Sequence, residues 1–308
     1  MKRIVTITFN PAIDKSTTVP ALLPDKKIKC AVPAFQPGGG GINVARAIVK
    51  LGAAATAVYL AGGHTGAFFH DLLEAEQVES IRIPIKGITR ENLILYDAST
   101  REQFLLDMPG PTVAAEEWQH FRQQLETLTR DAAFVVASGS LPPGIPPDAF
   151  SVTGSIARKN GAAFVVDTSG EPLKLAAHSG VYFIKPNLGE LASLTGKTKL
   201  TGREVVHAAQ EVLRQEGCEF LVVSLGAAGA MVVTPKYVHR IQAPVVKKLG
   251  TVGAGDSMVA GIITKLAAGE DILPAVKYGV ACGTAATMNT GTTLCKKEDA
   301  DLLYRSME

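Results

Sequence analysis

The residues whose identities and spacing most clearly suggest a chemical role lie at positions 249–261, in the stretch LGTVGAGDSMVAG. Its glycines let the backbone turn tightly, and the small and apolar residues after Asp256 predict a helix that ends at Gly269. A glycine-rich turn that opens a helix presents unpaired N–H groups and the positive end of the helix dipole, so it suits an anion such as phosphate. Asp256 is either a helix cap or the proton acceptor for a group that attacks the phosphate, and this stretch alone leaves both interpretations open.

A second glycine run, at positions 38–41, opens the predicted helix INVARAIVKLG. Four consecutive glycines lose much conformational entropy on folding, which favours close approach to a ligand over a simple connection. Asp14 follows the first predicted strand and could accept hydrogen bonds from ligand hydroxyls, although an Asp at such a place is more often a turn residue. Gly139 belongs to GSLPPG, which is either a rigid turn or the wall of a cleft.

Two further motifs follow predicted strands. In KPNLGEL, Pro186 can start a helix that places Asn187 and Glu190 on one face, where their oxygens could hold Mg²⁺ through its waters. The same spacing is that of a helix cap with its N3 glutamate, which is the default for this motif in isolation. The glycines of SLGAAG, residues 224–229, could cradle a nucleotide or merely form a tight connection.

The elements that must position these motifs alternate along the chain. Apolar segments predict strands at residues 3–9, 56–60, 133–137, 163–167, 181–185 and 220–224. Helical patterns lie between them at residues 43–51, 66–76, 114–129, 148–159 and 202–215. This alternation predicts an α/β fold with a mainly parallel sheet covered by helices on both faces, and ligands bind such sheets beyond the carboxyl ends of the strands.

Residues 15–36 and 91–108 do not fit the alternation. Each segment alternates apolar and polar residues without a helix, which predicts a small antiparallel β-sheet that projects from the main domain. Its apolar face needs cover from the ligand cleft or from a second copy, so a homodimer is expected. Arg90 and Lys27 lie at the bases of these segments, and they are either solvated or available to a phosphorylated substrate.

Composition excludes several classes of protein. The chain has 308 residues and a net charge of +2 without a basic stripe, which argues against nucleic acid as a partner. It lacks an apolar span of membrane length and a signal peptide, and Cys30, Cys218, Cys282 and Cys295 are too scattered for a metal site. We therefore expect a cytoplasmic protein with reduced, buried cysteines. Neither a complete P-loop nor a dinucleotide-binding fingerprint is present.

Taken together, the glycine run at 38–43, the Asn187 and Glu190 pair and the loop with Asp256 resemble the ribokinase-like (PfkB-type) carbohydrate kinases in order and spacing. TVGAGD resembles the second signature of that family and GGGGINVARA the first, and the likeness covers nearly the whole chain. TFNPAID with PGGGGINVAR is most similar to the branch that phosphorylates sugar phosphates, in particular the minor 6-phosphofructokinases of bacteria.

The resemblance implies one ribokinase-like kinase domain over residues 1–308, with the small sheet as its lid. It implies ATP-dependent phosphorylation of fructose 6-phosphate at the 1-hydroxyl. Tagatose 6-phosphate and fructose 1-phosphate are the alternative substrates. The alternative from another class of protein is a sugar-phosphate-binding regulator without turnover.

The resemblance also implies roles for individual residues. Asp256 would take the proton from the sugar hydroxyl, and the N–H groups of Gly253, Ala254 and Gly255 would form an anion hole for the γ-phosphate. The substrate would be held by Asp14, Gly39, Gly40, Gly41, Asn43 and Gly139, with Arg90 and Lys27 on its phosphate and Lys27 drawn from the same or the neighbouring subunit. ATP would be bound by Lys185, Asn187, Ser224, Gly226, Gly229, Val280 and Thr284.

Two metal sites follow from the same resemblance. Asn187 and Glu190 would order Mg²⁺ through water. A monovalent cation, K⁺, would be held by backbone oxygens in the region of Gly250, Val252, Ala286, Asn289 and Gly291. Thr293 stands where related sequences carry Arg, which weakens the last contact of the cation site, and Lys29 replaces an Arg of the lid without its bidentate fork.

Overall fold

The computed structural model describes residues 2–289 and 291–307, in which strands and helices alternate. The strands are β1 Ile4–Thr8, β2 Ala12–Val19, β3 Ala34–Gly38, β4 Thr56–Ala61, β5 Glu79–Pro84, β6 Arg90–Asp97, β7 Glu102–Leu106, β8 Phe134–Ser138, β9 Ala163–Asp167, β10 Phe183–Ile184, β11 Phe220–Ser224, β12 Ala230–Val233 and β13 Val238–Ile241. The helices are α1 Gly40–Lys50, α2 Gly63–Ala75, α3 Ala115–Leu128, α4 Ala149–Lys159, α5 Gly170–Ala177, α6 Leu188–Leu194, α7 Arg203–Glu216, α8 Ala254–Ala267, α9 Ile272–Thr287 and α10 Lys297–Ser306.

Among the described residues, nine strands form the main sheet, in the order β13-β12-β11-β10-β9-β8-β1-β4-β5. Every neighbouring pair from β11 to β5 is parallel, and only β12 and β13 are antiparallel additions at one edge. Successive side chains of a strand enter opposite cores, so that Val135 and Val136 of β8 pack on different sides of the sheet. The predicted sheet with helices on both faces is confirmed.

The small sheet has the order β3-β2-β6-β7 and differs from the prediction in its pairing. The outer pairs are antiparallel, but the central strands β2 and β6 run parallel. The reason is topological: β1 and β5 point the same way in the main sheet, and each is followed within a few residues by one of these two strands. The expectation of a purely antiparallel sheet was wrong because local alternation does not report which strands become neighbours.

The segment between β2 and β3, residues 20–33, has no regular structure, although short strands were predicted over residues 15–35. Three prolines and several charged residues interrupt its apolar positions, which explains the loss of pairing. Cys30 lies in this segment and is exposed, so the prediction of a buried cysteine is wrong there, whereas Cys218, Cys282 and Cys295 are buried.

Helices α8 and α9 pack closely in one core beside α1. A Cβ at Gly261 or Gly279 would come within 3 Å of the opposite helix, so both positions need glycine. This contact holds the first turn of α8 beside the start of α1, where two of the predicted motifs meet. Among the described residues, the helices lack the length and hydropathy that crossing a bilayer would require.

Candidate active site

Asp256 lies in the first turn of α8, directly across from the start of α1. The N-cap of α8 is Gly253, in the left-handed region at φ 74°, so Asp256 is not itself the cap residue. Its Oδ2 accepts a hydrogen bond from Nδ2 of Asn43, at 2.9 Å. The structure therefore brings the acidic residue of one glycine-rich loop to the helix that the other glycine-rich run opens.

The surroundings of Asp256 set its affinity for protons. Burial, followed by the negative charge of Asp167, raises the pKa of Asp256 to about 7 from an ordinary 3.8. The hydrogen bond from Asn43 and the positive charges of Lys185 and Arg46 oppose this rise. A carboxylate with a pKa near neutrality is well matched to accept a proton from an alcohol during a reaction.

Lys185 places a cation beside the start of α8. Its Nζ lies 3.3 Å from Oδ1 of Asp167 at the end of β9. Burial pulls the pKa of Lys185 down, but the carboxylates of Asp167, Glu190 and Asp256 outweigh it, so the pKa lies above its ordinary value. A Cβ on Gly255 would lie 3.5 Å from this Nζ, so the ammonium group adjoins the predicted anion hole.

Asp167 was not predicted from the sequence. Its position as the last residue of a recognised strand was the available signal, because polar residues at such ends line the ligand-binding edge of a parallel sheet. Its backbone oxygen accepts a hydrogen bond from the N–H of Gly139 at 3.0 Å, which ties the GSLPPG segment to the same edge.

Asn187 and Glu190 form a complete capping box at the start of α6. Oδ1 of Asn187 accepts from the N–H of Glu190, and Oε2 of Glu190 accepts from the N–H of Asn187, both at 2.9 Å. The capping interpretation is thus realised, and their Mg²⁺ role stays a prediction. The donor set fits a hydrated divalent cation, because burial and the nearby Asp167 charge raise the pKa of Glu190, and a cation would relieve both effects.

A cavity of about 640 Å³ lies between β11, α8 and α9. Its walls include the predicted ATP-binding residues Asn187, Ser224, Gly226, Gly229, Val280 and Thr284, and also Ala254 and Gly255 of the predicted anion hole. Lys185 is not part of the wall, although its Nζ is close to Gly255. One continuous space therefore joins the predicted nucleotide pocket to the start of α8.

Sequence reasoning missed one wall of this cavity. Ala243, Pro244, Val245, Val246 and Lys248 come from the irregular segment between β13 and α8. The segment is apolar at its centre and Val245 is fully exposed, so it gives the cavity an apolar wall, as is common in ligand pockets. An exposed apolar run outside any predicted element was the signal available in the sequence.

Asp14 lies within β2, so the interpretation as a turn residue is wrong. Its side chain is buried and accepts a hydrogen bond from Nδ2 of Asn92 on the adjacent strand β6, at 3.0 Å. Burial raises the pKa of Asp14, and the charges of Arg46 and Arg90 oppose the rise. A Cβ on Gly38 would overlap the Asp14 carboxylate, so the first glycine of the run makes room for this side chain.

The other glycines of the run are required by packing within the protein. Gly39 has φ 107°, a Cβ on Gly40 would overlap Ser138 and Gly139, and a Cβ on Gly41 would overlap the backbone oxygen of Ile7. The start of α1 thus lies directly on the ends of β1 and β8. Close approach explains the glycines, but the partner seen in the structure is the protein's own backbone.

Arg90 and Lys27 lie at opposite ends of the small sheet. Arg90 pairs with Ala12 at the near end of β2 and donates to Asp107, at 2.8 Å, and to the backbone oxygens of Asn10 and Met108. Lys27 is exposed in the segment beyond the far end of β2. The length of β2, roughly 20 Å, separates the strand ends from which Arg90 and the Lys27 segment start.

Three of the five residues of the predicted K⁺ site, Gly250, Asn289 and Gly291, lie close together, and the role of the site stays a prediction. The N–H groups of Leu249 and Gly250 donate to the backbone oxygen of Thr287, which joins the segment before α8 to the end of α9. A Cβ on Gly250 would lie 2.9 Å from the backbone oxygen of Asn289 and 3.9 Å from that of Gly291. Two carbonyl oxygens thus flank Gly250. The backbone oxygen of Ala286 instead accepts a hydrogen bond from the N–H of Asn289. Val252 lies in the turn before α8. A monovalent cation suits such carbonyl oxygens.

Comparison with known proteins decides the family. Residues 6–299 match the pfkB family of carbohydrate kinases. This chain belongs to that family. It is 40% identical over 305 residues to ATP-dependent 6-phosphofructokinase isozyme 2 from Escherichia coli (strain K12), and the alignment covers 99% of this chain and 98% of that one.

Solved structures agree with this assignment. Phosphofructokinase-2 from Escherichia coli in complex with potassium superposes with a TM-score of 0.95 at 40% identity, covering 100% of this chain and 99% of that one. The same enzyme in complex with fructose 6-phosphate gives a TM-score of 0.93 at 38% identity over 100% and 99% of the two chains. Its tetrameric inhibited form gives 0.94 at 39% identity, with the same coverage.

Proposed function

We propose that this pfkB-family kinase is an ATP-dependent 6-phosphofructokinase that transfers the γ-phosphoryl group of ATP to the 1-hydroxyl of fructose 6-phosphate. The observation that carries the proposal is the position of Asp256. It is a half-buried carboxylate at the start of α8, hydrogen-bonded to Asn43, beside a cavity wall formed by Ala254 and Gly255. The end-to-end similarity to a named 6-phosphofructokinase supports the choice of substrate.

The geometry supplies both parts that phosphoryl transfer needs, which are positioning and charge stabilisation. Asp256 accepts the proton of the attacking hydroxyl as the new O–P bond forms and the bond between the γ-phosphorus and the bridging oxygen of the departing ADP breaks. The N–H groups of Gly253, Ala254 and Gly255 and the ammonium group of Lys185 stabilise the negative charge on the migrating phosphoryl group. Asp14 and Asn43 bind sugar hydroxyls, and the neighbouring glycines let the start of α1 lie close to the ends of β1 and β8, which holds Asn43 at the site.

Two cations would complete the site. Mg²⁺, ordered by Asn187 and Glu190, would neutralise the phosphate oxygens of ATP when bound. K⁺ beside Gly250 and Asn289 would place a positive charge just behind the loop that opens α8. Thr293, which cannot supply the charge of an arginine, would make the dependence on K⁺ weaker than in relatives with Arg.

The phosphate of the sugar would be bound by Arg90 and by Lys27 from a neighbouring subunit, because the segment with Lys27 starts at the end of β2 away from Arg90 and is exposed. The small sheet has the surface for such a dimer. Cross-strand register places Leu93, Leu95, Phe104 and Leu106 on the face opposite Asp14, and Phe104 and Leu106 are exposed. This apolar face points away from the cleft, which leaves a second copy of the chain as its cover. A cytoplasmic location remains a prediction of the sequence.

An ADP-release assay on the purified protein tests the proposal. Fructose 6-phosphate, tagatose 6-phosphate and fructose 1-phosphate are compared as substrates, each with K⁺ and with Na⁺. We expect fructose 6-phosphate to have the highest kcat/KM. A higher value for either rival would reassign the substrate, and tight sugar-phosphate binding without ADP release would favour the regulator over the kinase.

A further inference from the structure

Arg46 is a fully buried cation that the proposed reaction leaves unexplained. It lies on α1, one turn after Asn43, and its side chain has no exposed surface. Its Nε and Nη2 donate to the two carboxylate oxygens of Glu76, at 2.8 and 2.5 Å. A buried arginine requires such pairing, but Glu76 uses only one side of the guanidinium group.

The remaining nitrogen, Nη1, points towards the active site. It donates to the backbone oxygen of Pro37, at 2.7 Å, and to Oδ1 of Asn43, at 3.3 Å. Asn43 in turn donates from Nδ2 to Asp256. A continuous chain of hydrogen bonds therefore runs from Glu76, at the end of α2, through Arg46 and Asn43 to the proposed base.

This arrangement fixes which way the Asn43 amide points. An arginine can only donate hydrogen bonds and an ionised carboxylate can only accept them. The amide oxygen must therefore face Arg46, and the amide nitrogen must face Asp256. The flipped amide would suit only a protonated Asp256, whose O–H could donate to the amide oxygen, and Arg46 disfavours this flip because the amide nitrogen would then face its guanidinium donor.

We propose that Arg46 is a positioning residue that orients Asn43 so that its amide nitrogen donates to Asp256 and keeps that carboxylate in its ionised form. The inference rests on the proposed role of Asp256 as the base. Arg46 acts at a distance from the substrate, and it contributes both the orientation of Asn43 and a positive charge.

The charges around the base decide how large the effect is. Asp167 at the end of β9 disfavours the ionised form of Asp256, while Lys185 after β10 and Arg46 on α1 favour it.

The charge of Arg46 is itself balanced by Glu76, whose carboxylate also lies 3.9 Å from Nζ of Lys50. The positive charge of Arg46 also favours ionisation of Asp14. Removing Arg46 removes one of the two cations and, through the amide, the hydrogen bond.

The test is a titration of Asp256 in protein labelled with ¹³C at the aspartate carboxyl carbons, without substrate or Mg²⁺. The resonance of Asp256 is identified by its absence from Asp256→Asn. In Arg46→Met we expect its midpoint to rise by about one pH unit, a tenfold change in proton affinity. The acid limb of kcat/KM should move by the same amount, whereas a merely structural role would lower kcat/KM equally at every pH.

Lys50→Met is the matched control, because Lys50 is on the same helix and near the same Glu76 but has no link to Asn43. Its midpoint should equal that of the wild type. Arg46→Lys keeps a charge and a donor, so it should shift the midpoint less than Arg46→Met. An unmoved midpoint in Arg46→Met, or in Arg46→Gln if Arg46→Met does not fold, would overturn the proposal. Because the titration needs no turnover, a wild type without ADP release would refute the kinase function and still leave this test intact.

Discussion

Asp256 must satisfy two opposed requirements. As the proposed base, it needs an environment that raises its pKa towards neutrality, and it must be ionised when the sugar hydroxyl arrives. The structure meets both by surrounding the carboxylate with one acid, Asp167, and two cations, Lys185 and Arg46. The balance predicts that activity rises with pH through about 7 as Asp256 loses its proton.

The same desolvation means that ionised Asp256 lowers the free energy of unfolding at neutral pH. Its pKa is raised in the folded protein, so between about pH 4 and pH 7 the folded chain binds more protons than the unfolded chain, and the free energy of unfolding falls as pH rises. Asp256→Asn removes this effect. We expect the variant to gain stability over the wild type by roughly 2–3 kcal/mol on going from pH 5 to pH 8.

Urea unfolding of both proteins at the two pH values measures this difference. Asp71→Asn is the control, since its carboxylate is exposed on α2. A stability difference that is the same at both pH values would mean that Asp256 is not desolvated in the folded protein.

At the level of residues, sequence reasoning reached those whose own type and spacing carry a signal. It placed Asp256, Asn43 and the two glycine-rich loops, which the structure brings together. It missed Asp167 and Arg46, because their importance comes from partners that are distant in sequence. Arg46 lies 30 residues from Glu76, and nothing local distinguishes it from a solvated arginine on a helix.

At the level of elements, the small sheet presents an exposed apolar face that we propose as the dimer interface. Phe104 of β7 is 41% exposed on the apolar face opposite Asp14. Phe104→Glu would place a charge in the proposed dimer interface, where it would be desolvated without a partner. We expect the wild type to sediment as a dimer or larger assembly and Phe104→Glu to sediment as a monomer.

Leu302→Glu is the corresponding control, because Leu302 is 66% exposed on α10, outside this sheet. It should keep the assembly of the wild type. The dimer through the small sheet would be refuted by a monomeric wild type, or by a Phe104→Glu variant that remains assembled.

Elements were predicted well where a periodic face is half buried. Strands β9 and β11 have the predicted bounds, and α1 to α4 are close to them. Helix α9 was not identified, because residues on all its sides are buried between neighbouring helices and its apolar pattern lacks a clear period. Strand β10 has only two residues, since Pro186 ends the segment soon after it begins.

At the level of the whole molecule, the order of strands brings the site together. The start of α1 follows β3 of the small sheet, Asp167 ends β9 and Lys185 follows β10. Helix α8 begins some 200 residues after α1 by the sequence numbering. The alternation of strands and helices predicted that these residues would gather at one edge of the sheet. It could not predict the parallel pairing of β2 with β6 or the antiparallel edge of β12 and β13, because neighbours in a sheet are not set by local pattern.

The most direct test of this account is the turnover of Asp256→Asn with ATP and fructose 6-phosphate, measured as ADP release under saturating substrates. The substitution keeps the shape of the side chain and removes the proton acceptor. A general base contributes on the order of 10² to 10⁴ in rate, so we predict a loss of that size in kcat with fructose 6-phosphate still bound. Turnover within a few-fold of the wild type would contradict the role of Asp256 on which the mechanism depends.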